Sequence, residues 1–344
     1  MNFNDEISNF IEKNMDELSE QILNNHLLIE NIQNFDENKK VKSLEDIKYH
    51  LQFLSNSIKL ESKKNFISYI LWCDKLFSSI NLSRKDLIVN LKAIKNTFKS
   101  SLSEENFKIV SEYIDDALFY LNERTIFSKI NENEESEKYL SLVLEGKKKD
   151  AEKYIEEKIK NGYPLEDIYI NILQNAQHKI GYLWQTNKIS VAQEHLATSI
   201  TEYIMSNLYE YIFKSKKNGL KLISSCVTKE LHQIGLRMIT DILEYQGWDT
   251  TYLGANTPDN SIIDMLIKKD TDLLAISVTM FFNIKSAEKL IERIRNEKQL
   301  SKLKILVGGY PFNTDPTLYK KIGADFYAKD CKDCLKVVRE NFYV

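Results

Sequence analysis

Apolar positions in the first 145 residues recur three and four apart, and neither Gly nor Pro interrupts them before Gly146. These two residues punctuate turns and break helices, so so long a stretch without them predicts an all-helical region. Within it Leu51, Leu54, Ile58 and Leu60 share one face. Phe66, Ile67, Ile70, Leu71 and Cys73 continue a second helix, and Leu87, Ile88, Leu91, Ile94 and Phe98 a third. The acidic, apolar-free run 131–137 reads as a linker or a solvated helix start. A second helical segment follows from about 138 to 213. Beyond Gly219 the period changes, and short apolar runs of strand type at 220–227, 248–253, 273–279, 304–307 and 325–328 alternate with stretches of helical length. Five β-α units in succession predict an open parallel sheet with helices on both faces. The expected chain is multidomain: an all-α domain at 1–137, a four-helix bundle at 138–216, and a Rossmann-like α/β domain with a five-stranded parallel sheet at 217–344.

Composition narrows the class. With 344 residues, 43% of them hydrophobic, the chain can bury substantial cores, which excludes fibrous and disordered classes. A formal charge of −3 and a pI near 6.1 give no general attraction for phosphate backbones or anionic lipid. The pairs Lys39-Lys40 and Lys63-Lys64 are isolated and solvate helix faces, so no direct nucleic-acid contact is expected. The longest apolar run, at 273–282, falls short of the roughly 18 residues a membrane span needs. The start Met-Asn-Phe-Asn-Asp-Glu lacks the features of a signal peptide, so a cytoplasmic location is expected. Of the cysteines at 73, 226, 331 and 334, the last two form a lone C-x-x-C with no second pair to complete a zinc tetrahedron, and read as reduced thiols at a helix start.

In a parallel sheet of this kind ligands bind beyond the carboxyl ends of the strands, so the loops there carry the chemistry. After the first strand comes Thr228-Lys-Glu230-Leu-His232-Gln-Ile-Gly235, followed by the helical pattern Leu236, Ile239, Leu243. A His at a strand-to-helix crossing with a carboxylate two residues before it offers a metal ligand oriented by an acid. Taken alone, the same residues describe a surface His beside a Glu equally well. The third strand ends in Ser277-Val-Thr279 and the fourth in Gly308-Gly309, where a bulky ligand can approach the backbone.

Together these loops resemble the cobalamin-binding domain of methionine synthase, methylmalonyl mutase and corrinoid proteins, whose signature is D-x-H-x-x-G, S-x-L and G-G. The likeness covers about 125 residues, from 218 to the end. It implies that His232 ligates cobalt from below, with Glu230 and Gly235 beside it. The displaced dimethylbenzimidazole tail would enter beside Ser277, Thr279, Gly308 and Gly309. Glu230 stands where the family has Asp, and Thr279 where it has Leu, which puts the strength and pH dependence of the lower bond in question.

The helical segment before it contains Trp184-Gln-Thr-Asn-Lys-Ile-Ser190-Val-Ala-Gln193-Glu194-His195, in which Ser-x-x-Gln is a capping box that starts a helix at about Val191. This W-x9-E-H pattern resembles the bundle of the CarH/LitR light-dependent adenosylcobalamin regulators. Corrinoid methyl-transfer proteins have a similar bundle and cobalamin domain but lack the trio. The likeness implies that Trp184 packs on the adenosyl group of adenosylcobalamin, that Glu194 hydrogen-bonds it, and that His195 takes the upper cobalt face after light. The regulators' MerR-type DNA-reading domain has no counterpart in residues 1–137. That region, with Tyr49-His50-Leu51-Gln-Phe53-Leu54 and Tyr69-Ile-Leu-Trp72-Cys73, more faintly resembles globin-like sensor domains, including those of photocobilins, which pair cobalamin with biliverdin. There His50 and Trp72 would line a second tetrapyrrole pocket, against the plainer reading of both as packing residues.

The function these resemblances imply is that of a light-sensing signalling protein, not an enzyme, whose photolysis of adenosylcobalamin changes a homo-oligomeric assembly or the binding of an output protein. The alternative is a corrinoid methyl carrier serving methyltransferases, which would use the same His232 and sheet.

Overall fold

In the computed structural model, which describes residues 3–30, 36–80, 82–123 and 133–342, the chain forms two compact units, Met1–Phe127 and Ser128–Val344. The first is helical throughout its described residues: α1 (Phe3–Lys13), α2 (Met15–Glu30), α3 (Glu37–Lys59), α4 (Lys63–Ser79), α5 (Arg84–Ser101) and α6 (Glu104–Asn122). Side-chain caps set the starts where turn-forming Gly and Pro are lacking. Asp36 and Ser103 each accept a backbone N–H of the first turn, and Ser83 forms a reciprocal capping box with Asp86. The core holds most of the faces that the periodicity predicts, among them Leu51, Leu54, Ile58, Phe66, Ile70, Leu91, Ile94 and Phe98. Ile67 and Ile88 are only half-buried, because neighbouring positions such as Val89 take the inward slots.

The second unit begins with α7 (Glu134–Leu144), whose cap Asn133 accepts the Ser136 N–H at 2.7 Å. The acidic run is therefore a helix start from Asn133 onward, with Glu134, Glu135 and Glu137 at the positive end of the helix dipole; residues 131 and 132 lie outside the described residues. Next come α8 (Lys148–Lys160) and the short α9 (Leu165–Asp167), which runs into a π-helical stretch, Ile168–Gln174. The Asn171 carbonyl in that stretch accepts the side-chain amides of Asn133 and Asn175 at 2.8 and 3.0 Å. Then follow α10 (Asn175–Gln185), α11 (Val191–Asn207) and α12 (Tyr209–Ile212).

The five expected strands form β1 (Lys221–Cys226), β2 (Asp249–Tyr252), β3 (Leu273–Ser277), β4 (Lys304–Gly308) and β5 (Phe326–Tyr327). All pair in parallel in the order β2-β1-β3-β4-β5. The helices α13 (Ile234–Tyr245), α14 (Asp259–Lys269), α15 (Ile284–Asn296), α16 (Tyr310–Thr314), α17 (Leu318–Lys321) and α18 (Cys331–Phe342) connect and cover them. One continuous core joins helical layer and sheet, from Tyr139, Tyr169 and Ile200 through Leu243 and Trp248 to Leu273, Ala275 and Val338. At the same join, buried Asp241 on α13 accepts the hydroxyls of Tyr169 and Tyr209 at 3.0 and 2.9 Å. Cys331 and Cys334 are free and buried in the first turn of α18. Among the described residues no helix is long and apolar enough to cross a membrane.

Candidate functional site

The strand order reverses between β1 and β3: β2 lies on one side of β1, and β3 to β5 extend away on the other. Loops leaving the carboxyl ends of such neighbouring strands diverge and open a crevice. Glu230 in the β1 loop is fully buried there. Its Oε1 accepts the His232 Nδ1–H at 2.6 Å and the His232 backbone N–H at 3.1 Å. Its Oε2 accepts the backbone N–H groups of Thr279 and Met280, both at 2.9 Å, and the Asn283 side-chain amide at 3.0 Å.

Burial alone would raise the carboxyl pKa, but the donors from His232, Met280 and Asn283 outweigh it and hold Glu230 at about 2. An ionised carboxylate only accepts, so the proton between the pair belongs to Nδ1, and Nε2 keeps its lone pair for another partner. The hydrogen bond to Glu230 raises the His232 pKa, desolvation works against it, and the charges of Glu230 and of Glu194 add to the rise. The imidazole is more than half exposed while its acid is sealed. This is how a metal-binding His is oriented by a carboxylate behind it. The Glu side chain, longer than the Asp of the signature, reaches the imidazole at 2.6 Å.

The other expected residues are distributed around this pair. Gly235 stands in the first turn of α13, and a Cβ there would meet no atom within 4 Å. Ser277 ends β3 opposite Cys226 and Gly308. Thr279 contributes its backbone to Glu230. Gly308 and Gly309 have a reason within the fold: a Cβ would lie 3.0 Å from the Ala328 carbonyl oxygen at the first and 2.0 Å from that of Val278 at the second, where φ is +112°. Ser190 and Gln193 form the expected capping box, which puts Glu194 and His195 in the first turn of α11. Glu194 bonds His195 Nδ1 at 2.5 Å and the Thr198 hydroxyl at 2.9 Å, and His195 is 75% exposed. Trp184, near the end of α10, is 39% exposed.

Asn283 escaped the motif reading. Its one signal was local: a polar residue between Phe281, Phe282 and Ile284, in a stretch whose pattern calls for burial. In the N-terminal unit His50 is buried, with Nδ1 bonded to the Tyr69 hydroxyl at 2.8 Å and the ring edge-on to it. Burial pulls its pKa down to about 4. Trp72 is half-buried on the next helix.

Two family models match the chain. One B12 binding domain covers residues 220–332 and a second covers residues 135–209. Dimethylamine corrinoid protein 3 of Methanosarcina acetivorans is 25% identical over 188 residues, 54% of this chain and 86% of that protein. Dimethylamine corrinoid protein 1 of Methanosarcina mazei is 24% identical over 204 residues, 58% of this chain and 93% of its own length. The structure of the Methanosarcina barkeri monomethylamine corrinoid protein has the same fold, with a TM-score of 0.53 at 23% identity over 59% of this chain and 96% of that one.

These findings correct the light-sensing expectation. The relatives are corrinoid proteins of methylamine systems, in line with the alternative reading. Glu194 spends both oxygens within its own helix, on His195 and Thr198. With a B12 binding domain on the sheet and another on the helices before it, this chain is a cobalamin-binding protein.

Proposed function

We propose that this chain is a corrinoid methyl carrier that serves methyltransferases of the methylamine class and is not itself the catalyst. The observation that carries the reading is the Glu230–His232 pair at the switch point of the sheet, inside the B12 binding domain. The names of the relatives supply the substrate class. When bound, the corrinoid supplies a cobalt centre that takes up and gives up a methyl group. His232 would hold it from below through Nε2. Glu230 keeps the proton on Nδ1 and, as a fixed anion, makes the imidazole a stronger donor. Ser277, Thr279 and the two glycines would flank the nucleotide tail, while Gly235 leaves room beside the lower ligand. Trp184, Glu194 and His195 we assign to the upper side, where the helices shield the reactive face between transfers.

The test loads the purified chain with hydroxocobalamin, reduces it, and adds a mono-, di- or trimethylamine methyltransferase with isotope-labelled amine. Label should pass to the protein-bound corrinoid with at least one of the three enzymes. Protein that holds the corrinoid but takes label from none of them overturns the carrier reading.

A further inference from the structure

The loop that presents His232 adopts a backbone its own residues do not favour. The Glu230 N–H donates to the Val227 carbonyl at 3.0 Å, which closes a four-residue turn. Lys229, the third residue of that turn, has φ +70°. This position of a turn calls for Gly or Asn, because a Cβ crowds the backbone there. The Lys229 side chain is exposed and gives no reason for the conformation. The reason comes from the loop after β2. The Lys229 N–H donates to the Asn256 side-chain oxygen at 2.8 Å, and the Asn256 N–H donates to the Glu230 carbonyl at 3.0 Å. One residue thus grips the turn on both sides of the unfavoured position.

Resting on the carrier reading above, we infer that Asn256 is a positioning residue for the cobalt ligand. By holding Lys229 left-handed it turns the Glu230 side chain into the crevice, and Glu230 in turn fixes the His232 imidazole. Without the grip, Lys229 relaxes to the ordinary region, and the carboxylate loses its alignment with the donors Thr279, Met280 and Asn283, which lie between β3 and α15. Asn256 acts through its side-chain oxygen on the backbone of the turn, not through contact with the corrinoid. It is exposed, so its replacement leaves the core intact, and its own φ of +51° is one that Gly also adopts.

That mechanism specifies its own rescue, because Gly occupies the left-handed region freely. Four full-length variants decide it: Asn256→Gly, Asn256→Asp, Lys229→Gly, and Asn256→Gly with Lys229→Gly. Two readouts apply, the dissociation constant for hydroxocobalamin and, in corrinoid-free protein, the 15N NMR signal of the Nδ1–H that His232 shares with Glu230. Asn256→Gly removes the side-chain acceptor without straining its own left-handed backbone; it should weaken binding about threefold to tenfold, at or below the range for outer partners of a metal ligand, and should broaden or shift the imidazole signal. Asn256→Asp keeps the acceptor and should behave as wild type, as should Lys229→Gly. The double variant should recover both readouts. Unchanged readouts in Asn256→Gly, or a double variant as impaired as that single one, would overturn the assignment. Wild-type protein that takes up no hydroxocobalamin would sink the carrier reading instead, and the imidazole signal would still decide the role of Asn256.

Discussion

His232 and His50 occupy two regions of the molecule that treat the same side chain in opposite ways. His232 leans on a sealed carboxylate, has its pKa raised by it, and keeps its ring more than half exposed. His50 is buried between helices, has a tyrosine hydroxyl in place of an acid, and has its pKa pulled to about 4 by burial. Its Nε2 has no hydrogen-bond partner among the described residues. A metal ligand needs an anchored proton on one nitrogen and an approachable lone pair on the other. His232 meets both conditions, whereas His50 pays for burial as a packing residue.

The largest effect expected from this contrast is the acid sensitivity of the N-terminal unit. The folded pKa of His50, about 4, lies below the ordinary 6.5. Its contribution to stability is therefore whole above pH 6.5 and is lost as pH falls toward 4. A displacement of that size is worth about 3 kcal/mol. Amide hydrogen exchange in α3 to α5 of the full chain should accelerate over this window, and His50→Leu should flatten the dependence. Equal pH dependence in both proteins would mean that His50 is not the buried base.

At the other histidine, His232→Ala should weaken hydroxocobalamin binding roughly 100-fold, at the top of the range for outer partners of a metal ligand, while His50→Leu leaves it unchanged. In protein labelled with 15N-histidine, the paramagnetic resonance of the reduced cobalt should show a protein nitrogen in wild type and none in His232→Ala. A signal unaltered by the substitution would assign the lower ligand elsewhere. Glu230→Gln is expected to cost about tenfold in affinity, because the amide keeps the shape but loses the charge that raises the His232 pKa. Binding should then hold to lower pH than in wild type, since a less basic imidazole is protonated later. The smallest effect belongs to the upper side: Ser190→Ala removes the capping box of α11 and should cost about 1 kcal/mol of local stability. It should leave the His232 imidazole signal in place, and a change there would show that the two sides of the site are coupled.

The class of the fold was legible in advance because it depends on near neighbours. Short apolar runs between stretches of helical length located all five strands to within two residues, the Ser190 cap placed the start of α11, and the Glu-x-His-x-x-Gly spacing pointed to His232. Periodicity was silent on the π-helical stretch 168–174, whose extra residue is accommodated by Asn133 and Asn175 reaching one carbonyl. The expected boundary at 137 falls inside α7, while the compact units part between Phe127 and Ser128. The expected class of function rested on the Trp184, Glu194 and His195 spacing, in which the Glu194 carboxylate bonds residues of its own helix, His195 and Thr198.

Local residue order settled the strands and the caps and singled out the candidate histidine, since each follows from side chains a few positions apart. Only the folded chain decided what surrounds that histidine. The amides of Thr279 and Met280 and the Asn283 side chain reach Glu230 across 49, 50 and 53 residues of chain, and Asn256 reaches Lys229 across 27. They meet because parallel pairing of β1 with both β2 and β3 delivers three loops to one end of the sheet, and hydrogen-bond donors converge there from positions that no spacing along the chain relates.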